Sequence, residues 1–236
     1  MRKIYQLLFI SILFPAISFA HGYWIETVGT HKPNEAVTVK LFYGEYVEGE
    51  RLSGKFLDRM KEISIFVTSP DGKKQSIEMK QLAEYWEGTF TPATNGSYSI
   101  TGLNDTREVQ DWTQHNLGIV RPVQYLQTIY QVGNTLTKQS AASFLAIKVT
   151  PVAENKYEIT VTKNDSAFKS LPLVIVHPGG WSKNVTTDKE GKASFTTVGP
   201  ALYLIDVEWI DKTSGTFKDK KYETVRHKFD YSFYQL

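Results

Sequence analysis

Residues 62–80 read Glu-Ile-Ser-Ile-Phe-Val-Thr-Ser-Pro-Asp-Gly-Lys-Lys-Gln-Ser-Ile-Glu-Met-Lys, and this stretch decides the fold class. Its first part, 62–68, alternates polar with β-branched or aromatic residues, which is the period of a half-buried strand. Ser69-Pro70-Asp71-Gly72 follows, with proline and glycine at the positions that a tight turn favours. Because 76–80 resumes the strand pattern, the stretch predicts a β-hairpin.

The same pattern of short strands and turns extends outward in both directions. A polar segment at 107–115 has the loose spacing of a short helix. Regular short strands separated by turns are typical of antiparallel sandwiches and not of a doubly wound parallel sheet. The chain is therefore predicted to be all-β. The predicted strands are 37–42, 86–91, 97–101, 123–132, 142–150, 157–162, 173–176, 192–196, 202–209 and 222–234.

The sequence predicts two domains behind a leader. Residues 1–20 have a basic start, an apolar stretch at 7–14 and a small-x-small site at 18–20, which is the layout of a secretory signal peptide. A turn-rich stretch at 151–155 is the best boundary in the remainder. We expect one antiparallel β-sandwich over 21–150 and a second over 151–236.

Composition restricts the partners and the compartment. Removing the leader with its Arg2 and Lys3 leaves 25 basic and 25 acidic residues, so nothing favours nucleic acid or an anionic membrane. The chain has no cysteine, which excludes disulfides and thiolate metal sites. No apolar run is long enough to predict a membrane span in the mature protein. A periplasmic or secreted protein is predicted.

Cleavage after Ala20 would make His21 the first residue of the mature protein. An N-terminal histidine offers its α-amine and its imidazole to one metal ion, and the α-amine loses its proton near neutral pH. Nitrogen-rich sites of this kind favour Cu(II) or Ni(II). The copper- and nickel-binding tripeptide that needs histidine in third place is absent, because the third residue is Tyr23.

His177 is the histidine best placed to complete such a site. It ends the apolar stretch 173–176 and precedes Pro-Gly-Gly-Trp, at a strand-to-loop transition where sites often lie. A strand-end histidine that bonds only its own loop is the alternative. His31 is predicted to lie in a solvated turn. His227, between Arg226 and Lys228, is predicted to lie on the surface.

No catalytic signature is present. The chain lacks a Gly-x-Ser-x-Gly elbow, a phosphate-binding glycine loop and a His-Glu-x-x-His pair, so a non-enzymatic protein is predicted.

The residues at 20–26, Ala-His-Gly-Tyr-Trp-Ile-Glu, resemble the opening motif of the family called domain of unknown function 4198. The resemblance extends to the strand at 37–44, to the turn at 69–72 and to 187–205. It implies a periplasmic accessory protein that binds nickel, cobalt or copper and presents the ion to a membrane transporter. It also implies an immunoglobulin- or prealbumin-like second domain. Many members have a histidine after the late strand where this chain has Glu208. If that histidine is a ligand in the family, the resemblance implies either that Glu208 replaces it as an oxygen ligand or that the site is altered in this chain.

Three functions remain open at this point. The first is a transition-metal-binding accessory protein with His21, His177 and Glu208 as ligands. The second is a non-catalytic module that binds a glycan or a protein through loops or aromatic faces. The third is a copper enzyme in which an N-terminal histidine brace activates oxygen.

Overall fold

A computed structural model describes residues 22–134 and 144–235. Strands dominate these residues, and the only helices among them are two short 3₁₀ helices, Gly54–Met60 and Thr113–His115. The all-β prediction is confirmed. The leader and His21 lie outside the described residues. None of the helices in the described ranges has the length and apolarity that crossing a bilayer requires.

Ten strands lie within residues 22–134. They are β1 (Gly22–Val28), β2 (Val37–Glu45), β3 (Glu50–Arg51), β4 (Ser64–Thr68), β5 (Lys74–Ile77), β6 (Lys80–Gln81), β7 (Trp86–Phe90), β8 (Gly96–Asn104), β9 (Gln110–Asp111) and β10 (Ile119–Val132).

Ten more strands follow residue 143. They are β11 (Leu145–Ala153), β12 (Lys156–Lys163), β13 (Ser166–Ala167), β14 (Pro172–His177), β15 (Trp181–Thr186), β16 (Lys192–Thr196), β17 (Ala201–Asp211), β18 (Gly215–Phe217), β19 (Lys220–Tyr222) and β20 (Thr224–Gln235).

A nine-stranded sheet runs through the middle of the molecule. Its order is β15-β14-β17-β20-β10-β8-β4-β5, with β9 paired to β10. The last strand, β20, pairs in parallel with β10 and antiparallel with β17. This sheet therefore joins strands from both sides of residue 150.

Two smaller sheets cover opposite faces of this central sheet. A five-stranded sheet (β1, β2, β3, β6 and β7) packs on one face, where Ile25 and Leu126 share a buried apolar cluster. A four-stranded sheet (β11, β12, β13 and β16) packs on the other, where Phe195 and Phe229 share a second cluster. Because side chains alternate along a strand, the central strands contribute to both cores.

The outer strand β1 lies across β20. The backbone N–H of Ile25 donates to Oγ of Ser232 at 3.1 Å, and that of Thr27 donates to the hydroxyl of Tyr234 at 3.1 Å. An edge strand has a row of unpaired backbone groups, and these two bonds satisfy part of that row. They also fix the start of β1 against the central sheet.

The hairpin predicted at 62–80 is confirmed in its essentials. β4 pairs antiparallel with β5, and Gly72 adopts a φ of 85° at the turn. The helix predicted at 107–115 is wrong in part, because residues 110–111 form β9 and only 113–115 are helical, as a 3₁₀ turn. Residues 151–155, where we placed a domain boundary, lie in the hairpin between β11 and β12. The division into two domains stays a prediction.

Candidate metal centre

His177 ends β14 and contacts aromatic side chains of the second core. Its ring stacks on Trp181 with a centroid separation of 5.2 Å and lies 5.0 Å from the ring of Tyr203. Its Nδ1 accepts a hydrogen bond from the backbone N–H of Gly179 at 2.8 Å, which settles the tautomer with the proton on Nε2. The His177 side chain thus accepts a hydrogen bond from the loop that follows β14.

Glu208 lies on β17, on the opposite face of the central sheet from His177. Its carboxylate accepts a hydrogen bond from Arg226 of β20. Burial acts to raise the pKa of Glu208, but the hydrogen bond and charge of Arg226 outweigh it and the pKa is lowered. Glu208 lies five positions along β17 from Tyr203, which His177 touches, and that spacing is roughly 17 Å. The structure does not bring the two predicted ligands together.

His21 lies outside the described residues, but its neighbour Gly22 is the first residue of β1. A methyl group added at Gly22 would lie 4.0 Å from Oδ1 of Asp230. Asp230 is a buried residue of β20, and its other oxygen accepts a hydrogen bond from the Gln124 amide at 2.7 Å. The start of β1 therefore faces a buried carboxylate.

Asp230 is part of a group of charged side chains that we call the polar strip. Residues directly opposite each other in paired strands project from the same face of a sheet. The register pairs Glu208 with Lys228 and Asp206 with Asp230, and it pairs Gln124 of β10 with Lys228. The polar strip comprises Gln124, Asp206, Glu208, Arg226, Lys228 and Asp230.

Lys228 lies between two carboxylates of the polar strip. Its Nζ forms an ion pair with Asp206 and lies 3.6 Å from Oδ1 of Asp230. Burial acts to lower the pKa of Lys228, but the two carboxylates together raise it. Burial raises the pKa of Asp230 to about 6, although Lys228 acts in the opposite direction. The cost of burying the negative charge of Asp230 is therefore only partly offset by Lys228 and Gln124.

With all its groups ionised, the polar strip has three carboxylates and two cations. Its formal net charge is −1, and Asp230 is its only fully buried carboxylate, with Lys228 as its ion-pair partner at 3.6 Å. Within residues 22–134 and 144–235, no three histidine, aspartate or glutamate side chains form a group that could hold a metal ion.

Two other histidines, His31 and His227, lie outside the polar strip. His31 is exposed, as predicted, and its Nδ1 lies 2.8 Å from the carbonyl oxygen of Gln131. The prediction that His227 is on the surface is wrong, because only 6% of this residue is exposed. Its neighbours Arg226 and Lys228 project from the other face of β20, and their charges therefore say nothing about the face that His227 occupies.

The alternation of residues along β20 did not predict the polar strip. Arg226, Lys228, Asp230 and Ser232 alternate along β20, which is the usual pattern of a solvent-facing side. The strand is buried on both faces instead, because β1 crosses it. No pattern in the sequence pointed to Gln124 as a member of the polar strip.

A model of the family described as a domain of unknown function (DUF4198) matches residues 18–211. The chain is a member of the DUF4198 family. The matched region contains His177 and Glu208, whereas β20 with Lys228 and Asp230 lies beyond it. No curated protein matches this DUF4198 chain.

Solved structures of low similarity were also found. A DUF4785 family protein from Legionella pneumophila is 12% identical, with a TM-score of 0.30 over 81% of the DUF4198 chain and 52% of its own. The chain thus spans about half the length of that protein. A segment of two fibronectin type-III domains from chicken tenascin is 16% identical, with a TM-score of 0.24 over 86% and 95% of the two chains.

Proposed function

We propose that this DUF4198 protein is a periplasmic or secreted, non-catalytic protein that binds nickel, cobalt or copper for a metal uptake system. In this proposal the leader is removed after Ala20, and His21 then binds the ion through its α-amine and imidazole. A membrane transporter would be the partner that receives the ion.

The observation that supports the proposal is the position of Gly22 against Asp230. Consecutive Cα atoms are about 3.8 Å apart across a trans peptide, so His21 must start within that distance of Gly22. Oδ1 of Asp230 is the oxygen that faces Gly22. We therefore infer that Asp230 is the first protein ligand to examine beside His21, ahead of His177 and Glu208.

The charges of the polar strip agree with such a role. Lys228 already forms an ion pair with Asp206, and a metal ion beside Asp230 would let Lys228 remain with that partner. Gln124 holds the other oxygen of Asp230 and so fixes the direction of the carboxylate. The Asp230 carboxylate, together with the α-amine and imidazole of His21, would make a three-donor site.

The experiment is a calorimetric titration of Ni(II), Co(II) and Cu(II) into protein that begins at His21, with the terminus confirmed by intact mass. The same protein with one extra alanine before His21 is the matched control, because the extension leaves the imidazole but moves the α-amine. Asp230→Asn is the second variant, and Asp58→Asn, an exposed aspartate on the first 3₁₀ helix, is its control.

One-to-one binding that weakens at least about tenfold in both the extended protein and Asp230→Asn would support the proposal. Equal binding by the extended protein would remove the α-amine from the site. An absence of binding by all forms would overturn the proposal.

A further inference from the structure

A groove of about 630 Å³ lies on the other face of the central sheet, away from β1. The four-stranded sheet covers β14, β17 and β20 there, and the groove opens beside it over β4, β8 and β10. Its size falls within the range of roughly 300–1,000 Å³ that is usual for small-molecule sites.

Aromatic rings form much of the groove. Phe66 of β4 is half-buried, and the ammonium group of Lys74 lies 4.1 Å from its ring centroid. Tyr125 of β10 forms part of the floor, and half-buried Phe144 forms a wall. Phe144 stacks on His227 at 4.8 Å, so the ring wall continues inward.

The groove also contains donors and acceptors whose charges cancel. Lys74 and Arg121 are the cations, and Asp105 and Asp211 are the anions. Among the described residues, the guanidinium group of Arg121 makes a single hydrogen bond of 3.4 Å, to the carbonyl oxygen of Asp105, and its Nε is buried with no partner there. Within the described part of the chain no ion pair involves Arg121. Its hydrogen-bonding capacity is thus largely unused.

We propose that this groove binds a neutral oligosaccharide. A sugar ring presents apolar C–H faces to aromatic side chains and hydroxyl groups to planar polar ones, and the groove supplies both kinds of partner. The cancelled charges favour an uncharged ligand over a polyanion.

A peptide fits the groove less well. Peptides that bind to sheets usually pair with an exposed edge through their backbone groups. The floor of this groove is the face of a sheet, in which β10 pairs with β8 on one side and β20 on the other. The backbone groups of the floor are therefore occupied, and only side chains remain to make hydrogen bonds.

This inference is independent of the metal proposal. Tyr125 and Gln127 of β10 project into the groove, whereas Gln124 projects towards the polar strip on the opposite face. Sugar binding and metal binding can therefore succeed or fail separately.

The test is calorimetry of the mature protein, treated with a chelator, against neutral hexasaccharides. The probes are maltohexaose, cellohexaose, xylohexaose and N-acetylchitohexaose, with an oligogalacturonate and a polyalanine-lysine peptide as charged comparisons. Phe66→Ala removes an aromatic contact, and Phe56→Ala, an exposed phenylalanine on the first 3₁₀ helix, is its matched control. Asp105→Asn and Asp58→Asn form a second pair that leaves the core untouched.

We expect at least one neutral hexasaccharide to bind with one-to-one stoichiometry. Phe66→Ala or Asp105→Asn should weaken that binding by about tenfold or more, while the two control variants leave it unchanged. The proposal is overturned if no neutral probe binds, if the oligogalacturonate or the peptide binds more tightly, or if both groove variants bind like their controls.

Discussion

His227 should make the protein sensitive to acid, and replacing it should remove that sensitivity. Burial lowers the pKa of His227 from 6.5 to about 4, against the opposing effect of Asp211 and with smaller contributions from Arg121 and Lys163. The ring packs against Phe144 and Trp209, at centroid separations of 4.8 and 5.0 Å. In the folded protein it is therefore neutral at physiological pH.

The sign of the effect follows from this lowered pKa. Above pH 6.5 the histidine is neutral in both the folded and the unfolded chain, so its contribution to stability is fully present. As the pH falls from about 6.5 towards 4, the unfolded chain takes up a proton that the folded protein excludes. A difference of 2.5 pKa units predicts a loss of about 2 kcal/mol of unfolding free energy between about pH 7.5 and about pH 5.

The assay is urea unfolding at these two pH values, for the natural protein and for His227→Phe. Phenylalanine keeps the aromatic packing but cannot titrate. The hydroxyl of Tyr125 loses its 3.0 Å partner Nδ1 at both pH values, and this constant cost cancels when the pH dependences are compared. His115→Gln is the control, because His115 is exposed.

We expect the natural protein to lose about 2 kcal/mol more than His227→Phe on acidification, and His115→Gln to behave like the natural protein. Asp230 titrates in an overlapping range with the opposite sign, but it is present in every form and cancels in the comparison. If His227→Phe and the natural protein lose stability in parallel, the reasoning about His227 is refuted.

Three further predictions concern stability. Asp230→Asn should raise the unfolding free energy at pH 7 by on the order of 1 kcal/mol in chelator-treated protein, because an aspartate with a raised pKa destabilises the fold as the pH rises through about 6. Melting curves of the variant and the natural protein should therefore show this gain vanish below about pH 4. Gly44→Ala should cost at least about 2 kcal/mol in urea unfolding, because the added methyl group would overlap the carbonyl oxygen of Glu50, and an unchanged urea midpoint would contradict this. Ser232→Ala should cost about 1–2 kcal/mol by thermal melting, since it leaves the buried N–H of Ile25 without its acceptor, and no loss would mean that another acceptor replaces Ser232.

The sequence predicted the local structure well where the pattern depends on neighbouring residues alone. The strand predicted at 192–196 is observed as Lys192–Thr196, and the Ser-Pro-Asp-Gly turn joins β4 to β5. Alternation and turn geometry are local properties, so a single sequence contains them. The parallel pairing of β10 with β20 joins residues more than 90 positions apart, and no local pattern encodes it.

The candidate site was harder to predict for the same reason. His21 could be selected from the sequence because signal-peptide cleavage is a local event. Asp230 could not be selected, since its importance depends on β1 crossing β20 and burying a face that the alternation of charges suggested was solvated. His177 was selected from its place at the end of a strand, which says nothing about the face on which its side chain projects.

The central sheet explains how the chain could hold the two proposed sites without a large loop insertion. Each strand of that sheet places alternate side chains on opposite faces, and neither outer sheet covers its whole face. At its start, β1 covers Lys228 and Asp230 and brings Gly22 next to Asp230, whereas beyond Phe144 the four-stranded sheet leaves the aromatic groove open. Since Gln124 and Tyr125 are consecutive residues of β10, this one strand contributes to both proposed sites. A substitution that shifts the register of β10 by one residue would therefore exchange these faces and abolish metal and sugar binding together.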